Sequence, residues 1–321
     1  MSETMKIVFT ELLEDHELVR ESLPEDEVVI YDHPMREREL IQAAEGAEIL
    51  SVFIYTRVTE EVIDALPDLK LIVTRSVGFD HIAARYALDK GIEVCHVPDY
   101  GAHVVAEHAF SLLLAAAKNI TRADGFVKSG RKFDFEPFMG TEMRGKVLGV
   151  IGTGKIGAEV IRIANGFDMN VLAYDIYENH PLATKYGFDY VELDVLLRRS
   201  DFVTLHAPLT PENHHLIDQE ALAKMKEGSI LINAARGPLV DSHALKEALE
   251  SGHLAAAGTD VLEHEDDPGK DPLLHAPNLV ITPHSAFFTR EALRRIAGTT
   301  LDIIEGFRSG EIVHRVPEEY L

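Results

Sequence analysis

Three side chains of complementary chemistry stand in short, punctuated stretches of the C-terminal half: Arg236 in INAARGPLVD, Glu265 in GTDVLEHE and His284 in NLVITPHSAFF. Arginine presents a planar fork of donors that grips a carboxylate, keeps its charge at any working pH and polarises an adjacent carbonyl oxygen. Histidine titrates near neutrality, and a neighbouring carboxylate favours its protonated form and fixes its tautomer. Glu265, five residues beyond Asp260, is placed to be that neighbour. Interconversion of a 2-oxo and a 2-hydroxy acid needs such a set, together with a hydride carrier. Taken alone, His284 among apolar neighbours reads as a core histidine satisfied by a backbone carbonyl; its place just past the strand Leu279 to Thr282 argues for a role at a site.

A carrier site is legible upstream. GVIGTGKIG sets Gly152, Gly154 and Gly157 directly after the run VLGVI and at the opening of the helical run KIGAEVIRIA. In that context the first glycine permits a tight turn, the second lets the backbone approach a pyrophosphate, and the third allows close packing of helix on strand. The helix N-terminus adds free N–H groups and a positive dipole. The next strand, MNVLAYD, ends in Asp175, where a carboxylate accepts from the adenine ribose hydroxyls and repels a 2′-phosphate. NAD(H) is expected rather than NADP(H).

The elements that hold these residues alternate. KIVFT, EVVIY, EILSVFI, LKLIV and IEVCHV are separated by amphipathic stretches, which indicates βαβ units and a parallel sheet. AEHAFSLLLAAAKNI is apolar on nearly every side and predicts a long buried helix. Residues 121 to 144 lack a clear period and predict an irregular arm, read as a dimer contact. A second series of six strands follows: VLGVIG, MNVLAYD, DFVTLH, GSILIN, AAAGTD and LVITPH. Polar residues gather just past their ends: Asp175, His206, Asn233 with Arg236, Asp260 and His284. Ligands of open α/β sheets bind there. The last helical run, REALRRIAGTTLDIIEGFRSG, is expected to return to the first domain and make it discontinuous.

Composition sets the outer bounds. At 321 residues, two domains are expected, and no apolar run could cross a bilayer. The 31 basic against 54 acidic residues give a net charge of −23, which disfavours a nucleic-acid partner. A single cysteine, Cys95, permits no intramolecular disulfide, and MSETMKIVF shows no export signal, so a cytoplasmic location is expected. The pair His214 and His215 has no ligand-like partner in the sequence, and no metal site is expected.

RSVGFDHI, VPDYGAHVVAEHAF, GVIGTGKIG, LHAPLTPENHHLI, INAARGPLVD, GTDVLEHE and ITPHSAFF together resemble the D-isomer-specific 2-hydroxyacid dehydrogenases, over almost the whole chain. SVFIYT, TRSVGFDHI and PHSAFF bring it nearest the D-lactate dehydrogenase branch. The resemblance implies an α/β fold of two domains, with a Rossmann-type NAD-binding domain, residues 102–287, inserted into a flavodoxin-like substrate-binding domain, residues 1–101 and 288–321. It implies that Arg236 binds the substrate carboxylate and carbonyl, that Glu265 pairs with His284, and that His284 moves the proton. On the cofactor side it implies Gly152, Gly154, Lys155, Ile156, Gly157, Asp175, His206, Ala207, Pro208, Ala234, Asp260 and His284, with Asp260 at the nicotinamide carboxamide. The amides of Val77 and Gly78 would complete the carboxylate site, brought toward Arg236 by cleft closure, and Tyr55, Tyr100 and Phe288 would line the pocket. Phe287 and Phe288 stand where relatives often carry a tyrosine, which leaves pyruvate and bulkier 2-oxo acids both open. A homodimer built on the NAD-binding domains is implied, and no membrane partner. The rival reading is an NAD(H)-sensing protein like the corepressors of the same fold; a relative acting on formate or phosphite is a third.

Overall fold

A computed structural model describes residues 4–130 and 133–317. The outermost residues of the expected segments 1–101 and 288–321, and two residues of the arm 121 to 144, lie outside the described residues. The chain divides into two compact units, Met1–Tyr100 with Phe288–Leu321, and Gly101–Phe287.

The first unit holds β1 (Lys6–Phe9), β2 (Glu27–Ile30), β3 (Ile49–Val52), β4 (Leu71–Thr74) and β5 (Glu93–His96), all parallel, in the order β2-β1-β3-β4-β5. That is the flavodoxin-like order. β3 and β4 are buried at every position, so both faces are covered and the sequence shows continuous apolar runs rather than alternation. The helix Arg290–Ser309 belongs to this unit. The Thr289 side chain caps it by accepting from the Ala292 amide, and Ala292, Ile296, Ala297, Thr300, Ile303 and Ile304 form its buried stripe. Arg308 pairs with the Asp26 carboxylate, itself 1% exposed, near the helix's C-terminal end.

The second unit holds seven parallel strands rather than six: β6 (Val147–Ile151), β7 (Asn170–Tyr174), β8 (Asp189–Tyr190), β9 (Phe202–Leu205), β10 (Ser229–Asn233), β11 (Leu254–Thr259) and β12 (Leu279–Ile281). The unexpected β8 has two residues, too few for a period to register. The order β12-β11-β10-β9-β6-β7-β8 is the Rossmann order with one strand added. β6 pairs with β7 on one side and β9 on the other, so the switch point lies at its carboxyl end. β12 ends one residue earlier than expected and is half-buried throughout, because it is an edge strand paired only with β11.

The long apolar run is the helix Ala102–Ala117. The following arm is not wholly irregular: Ile120–Lys128 is helical. That helix buries none of its residues, and its apolar Ile120 and Val127 are exposed. Among the described residues, no helix is long and apolar enough to cross a membrane.

Candidate functional site

The glycine loop after β6 is closed against its surroundings on two sides and open on the third. Gly152 sits at φ 90, and a Cβ there would lie 2.7 Å from the Ala207 amide nitrogen and from the His206 carbonyl. A Cβ on Gly157 would meet the Gly152 carbonyl oxygen at 2.0 Å. Neither position tolerates a side chain without moving backbone. Around Gly154 there is open space, and it leads into the helix Lys155–Gly166 with Lys155 exposed and Ile156 half-buried.

Asp175, just past β7, is fixed to this loop. Its Oδ2 accepts from the Thr153 amide at 2.6 Å and the Thr153 hydroxyl at 2.9 Å, and its Oδ1 accepts from the Tyr177 amide at 3.0 Å. On the far side of the switch point, His206 and Ala207 are half-buried and Pro208 is exposed. Thr204 Oγ1 lies 2.8 Å from His206 Nε2, while His206 Nδ1 is enclosed without a partner among the described residues. Burial pushes this imidazole down to about 3, so it is neutral at working pH and no proton donor.

The loops after β10, β11 and β12 carry the other expected residues. Half-buried Ala234 and Arg236 follow β10. The Asn233 side chain folds this loop: its Nδ2 donates to the Arg236 carbonyl at 2.8 Å and its Oδ1 accepts from the Ala235 amide at 3.0 Å. Arg236 Nη1 donates to the Ala235 carbonyl at 2.8 Å. Gly237 then lies so close to the next loop that a Cβ would meet the Leu262 carbonyl oxygen at 2.0 Å. The Arg236 loop and the Glu265 loop are therefore packed backbone to backbone.

His284 Nδ1 lies 2.8 Å from Glu265 Oε2, whose other oxygen accepts from the Leu262 amide at 3.2 Å. Since the carboxylate can only accept, Nδ1 carries the proton and Nε2 is left to exchange one. His284 itself has φ 51, a conformation uncommon for a residue with a side chain, and its amide donates to the Asp260 carbonyl at 2.7 Å.

What holds that backbone is Asp260, 1% exposed. Its carboxylate accepts from Thr282 Oγ1 at 2.5 Å, the Ser285 amide at 2.9 Å and the Ala286 amide at 2.8 Å, with His108 Nε2 at 3.3 Å. Burial alone would raise the Asp260 carboxyl, but His108, Thr282 and the two amides hold it below the usual range. The anion thus pins the turn Thr282–Ala286 that presents His284.

In the first unit, Tyr55 follows β3 and is 43% exposed, Val77 (39%) and Gly78 follow β4, and half-buried Tyr100 follows β5. The Val77 carbonyl accepts from His96 Nδ1 at 2.8 Å and the Gly78 carbonyl accepts from Ser76 Oγ at 2.6 Å. Both carbonyls are thereby turned to internal donors. Glu11 accepts from the Tyr55 amide at 3.1 Å and the Thr56 amide at 2.7 Å. Nearby Arg75 is buried under Phe9 and Phe53 and donates to Ser51 and Thr10; burial lowers it to about 10, with Glu11 opposing that shift. Phe287 is buried and Phe288 is 52% exposed, so only the second faces outward.

A family model described as D-isomer specific 2-hydroxyacid dehydrogenase, NAD binding domain, matches residues 110–286. The chain belongs to this family. As a D-isomer specific 2-hydroxyacid dehydrogenase it uses NAD, and the cradle fits that group: two positions where a Cβ would strike backbone, open space at Gly154 between them, and a helix N-terminus. A glyoxylate reductase of Korarchaeum cryptofilum is 38% identical over 282 residues, 87% of this chain and 85% of that protein. A D-3-phosphoglycerate dehydrogenase of Methanocaldococcus jannaschii is 39% identical over 314 residues, 97% of this chain but 59% of that longer protein. The crystal structure of D-lactate dehydrogenase from Aquifex aeolicus, complexed with NAD and lactic acid, superposes with TM-score 0.85 at 37% identity, covering 95% of this chain and 96% of that one.

Within this dehydrogenase the sequence singles out neither Thr153, Thr282, His108 nor Glu11. Their partners lie 22 to 174 residues away, and nothing local marks them. The expectation that His215 lacks a partner is corrected, for its Nε2 lies 2.7 Å from Glu263 Oε1.

Proposed function

We propose that the chain reversibly reduces a small 2-oxo acid with an uncharged side chain, pyruvate or a bulkier analogue, to the D-2-hydroxy acid. The observation that carries this reading is the 2.8 Å pair of His284 with Glu265, whose loop packs backbone to backbone against the one that bears Arg236. NAD(H) supplies or accepts the hydride when bound. Arg236 binds the substrate carboxylate and polarises its carbonyl, His284 Nε2 exchanges the proton with the developing or departing alkoxide, and Glu265 steadies the imidazolium. Val77 and Gly78 offer amides to the carboxylate. Tyr55, Tyr100 and Phe288 form the pocket wall, and their uncharged side chains suit an uncharged substituent on the acid. Asp260 serves first to hold the His284 turn, since four donors already occupy its carboxylate.

The test is a panel of 2-oxo acids graded by size, one of them phosphorylated, scored by kcat/KM with NADH and NADPH. Pyruvate or a bulkier acid with an uncharged side chain is expected to lead. A lead for the phosphorylated acid overturns the substrate assignment, and no oxidation of NADH by any acid favours a sensor. Asp175→Asn keeps an acceptor for Thr153 but removes the charge facing the ribose, so the NADH-over-NADPH ratio should fall by about tenfold or more, roughly 1.4 kcal/mol. An unmoved ratio removes Asp175 from ribose recognition.

We assign the arm that follows the helix Ala102–Ala117 to a homodimer contact, because Phe133, Phe135 and Met139 are 95%, 86% and 90% exposed. Replacing both phenylalanines by serine should convert a dimer to a monomer in light scattering; a dimer that persists refutes the assignment.

A further inference from the structure

On the loop after β9, His214 is exposed and His215 half-buried, and their rings lie 4.0 Å apart between centroids at 34°. Glu263, half-buried on the loop after β11, joins them across 48 residues of sequence: each of the three offers one ligand atom, and these atoms all lie within 4.8 Å of one another. We propose that His214, His215 and Glu263 bind a divalent transition-metal ion of the zinc type.

The donor set is right for that class. Two imidazoles and a carboxylate suit Zn²⁺, whereas Mg²⁺ and Ca²⁺ require oxygen ligands throughout. Bonds of about 2.0–2.2 Å to zinc place tetrahedral ligand atoms roughly 3.4 Å apart, so 4.8 Å closes by a modest rotation of the exposed His214. The other two ligands are already oriented. Ser242 donates to Glu263 through both its amide and its hydroxyl, and the Glu263 amide donates to Asp271 Oδ2 at 3.1 Å. The His215 backbone, at φ 53, is fixed by its amide donating to the Pro238 carbonyl at 2.8 Å. Outer contacts of this kind are what orient ligands in metal sites. The metal takes the place of the proton between His215 Nε2 and Glu263 Oε1, and the imidazole stays a neutral ligand by carrying its one proton on Nδ1.

The ion ties the loop after β9 to the loop that carries Glu265, two residues beyond Glu263, so occupancy stabilises the NAD-binding unit. The experiment titrates the full chain with Zn²⁺ alone by calorimetry, and with Co²⁺ alone for the visible absorption of tetrahedral coordination. One ion per chain is expected, with Kd below about 0.1 mM and a melting midpoint raised by roughly 5 °C at a hundredfold excess over Kd. His214→Ala and Glu263→Gln should each weaken binding about tenfold or more, while His180→Ala, at an exposed histidine paired with Glu178, should not. Equal affinity in the wild type and His214→Ala, or no binding below millimolar metal, overturns the proposal. His214 is exposed, so its variant folds and decides the matter even if Glu263→Gln is unstable.

Discussion

Replacing His284 by alanine lowers turnover by about a hundred- to ten-thousand-fold, the usual share of general acid–base catalysis, while leaving NADH affinity within a few-fold of wild type. The expectation rests on where the proton must be. Glu265 occupies Nδ1, which leaves Nε2 to exchange a proton, and His206, past the end of β9, is neutral and enclosed. The backbone at φ 51 is held by Asp260 and not by the imidazole, so the turn survives the truncation. Turnover is read from NADH absorbance at saturating 2-oxo acid, and cofactor binding from NADH fluorescence. A kcat within tenfold of wild type would mean that His284 is not the proton-transfer group. Glu265→Gln keeps an acceptor for Nδ1 but no counter-charge; its loss in the reduction direction should be smaller and should grow as pH rises.

Most of the frame could be read from one sequence because parallel strands buried on both faces write themselves as unbroken apolar runs. The Gly152, Gly154, Gly157 spacing is similarly local, since turn, approach and packing all fall within one loop and one helix start. The features that escaped are those whose cause is distant. Thr282 means nothing until Asp260 is 22 residues back and His108 is 174 away on another element. Gly237 looks like a simple turn residue, and only the Leu262 backbone at its Cα shows why nothing larger fits. His215 seemed unpartnered because Glu263 sits in an acidic run that reads as solvated surface. In that same run Glu265 reaches His284, the histidine expected for it from the sequence, whereas nothing local marks Glu263 as the partner of His215.

Arg236→Lys should lower kcat/KM by about 10²- to 10³-fold, comparable to removing an oriented donor from an oxyanion site. Charge is conserved in this change, so the loss isolates geometry. In the structure Nη1 donates to the Ala235 carbonyl at 2.8 Å, and a planar guanidinium carries further N–H donors on the same rigid frame. An ammonium has one centre: it can hold the loop carbonyl or meet the carboxylate, but not do both while also polarising the carbonyl oxygen. The ground-state part of the loss should appear in KM, through the carboxylate, and the transition-state part in kcat, through the carbonyl. Asn233, 4% exposed, keeps the loop in place through its bonds to Ala235 and Arg236 whatever side chain follows, so NADH affinity and melting midpoint should be unchanged. If kcat/KM stays within tenfold, charge alone suffices, and the bidentate grip assigned to Arg236 is wrong. If KM rises with kcat untouched, Arg236 only binds, and polarisation of the carbonyl must come from the proton on His284 Nε2.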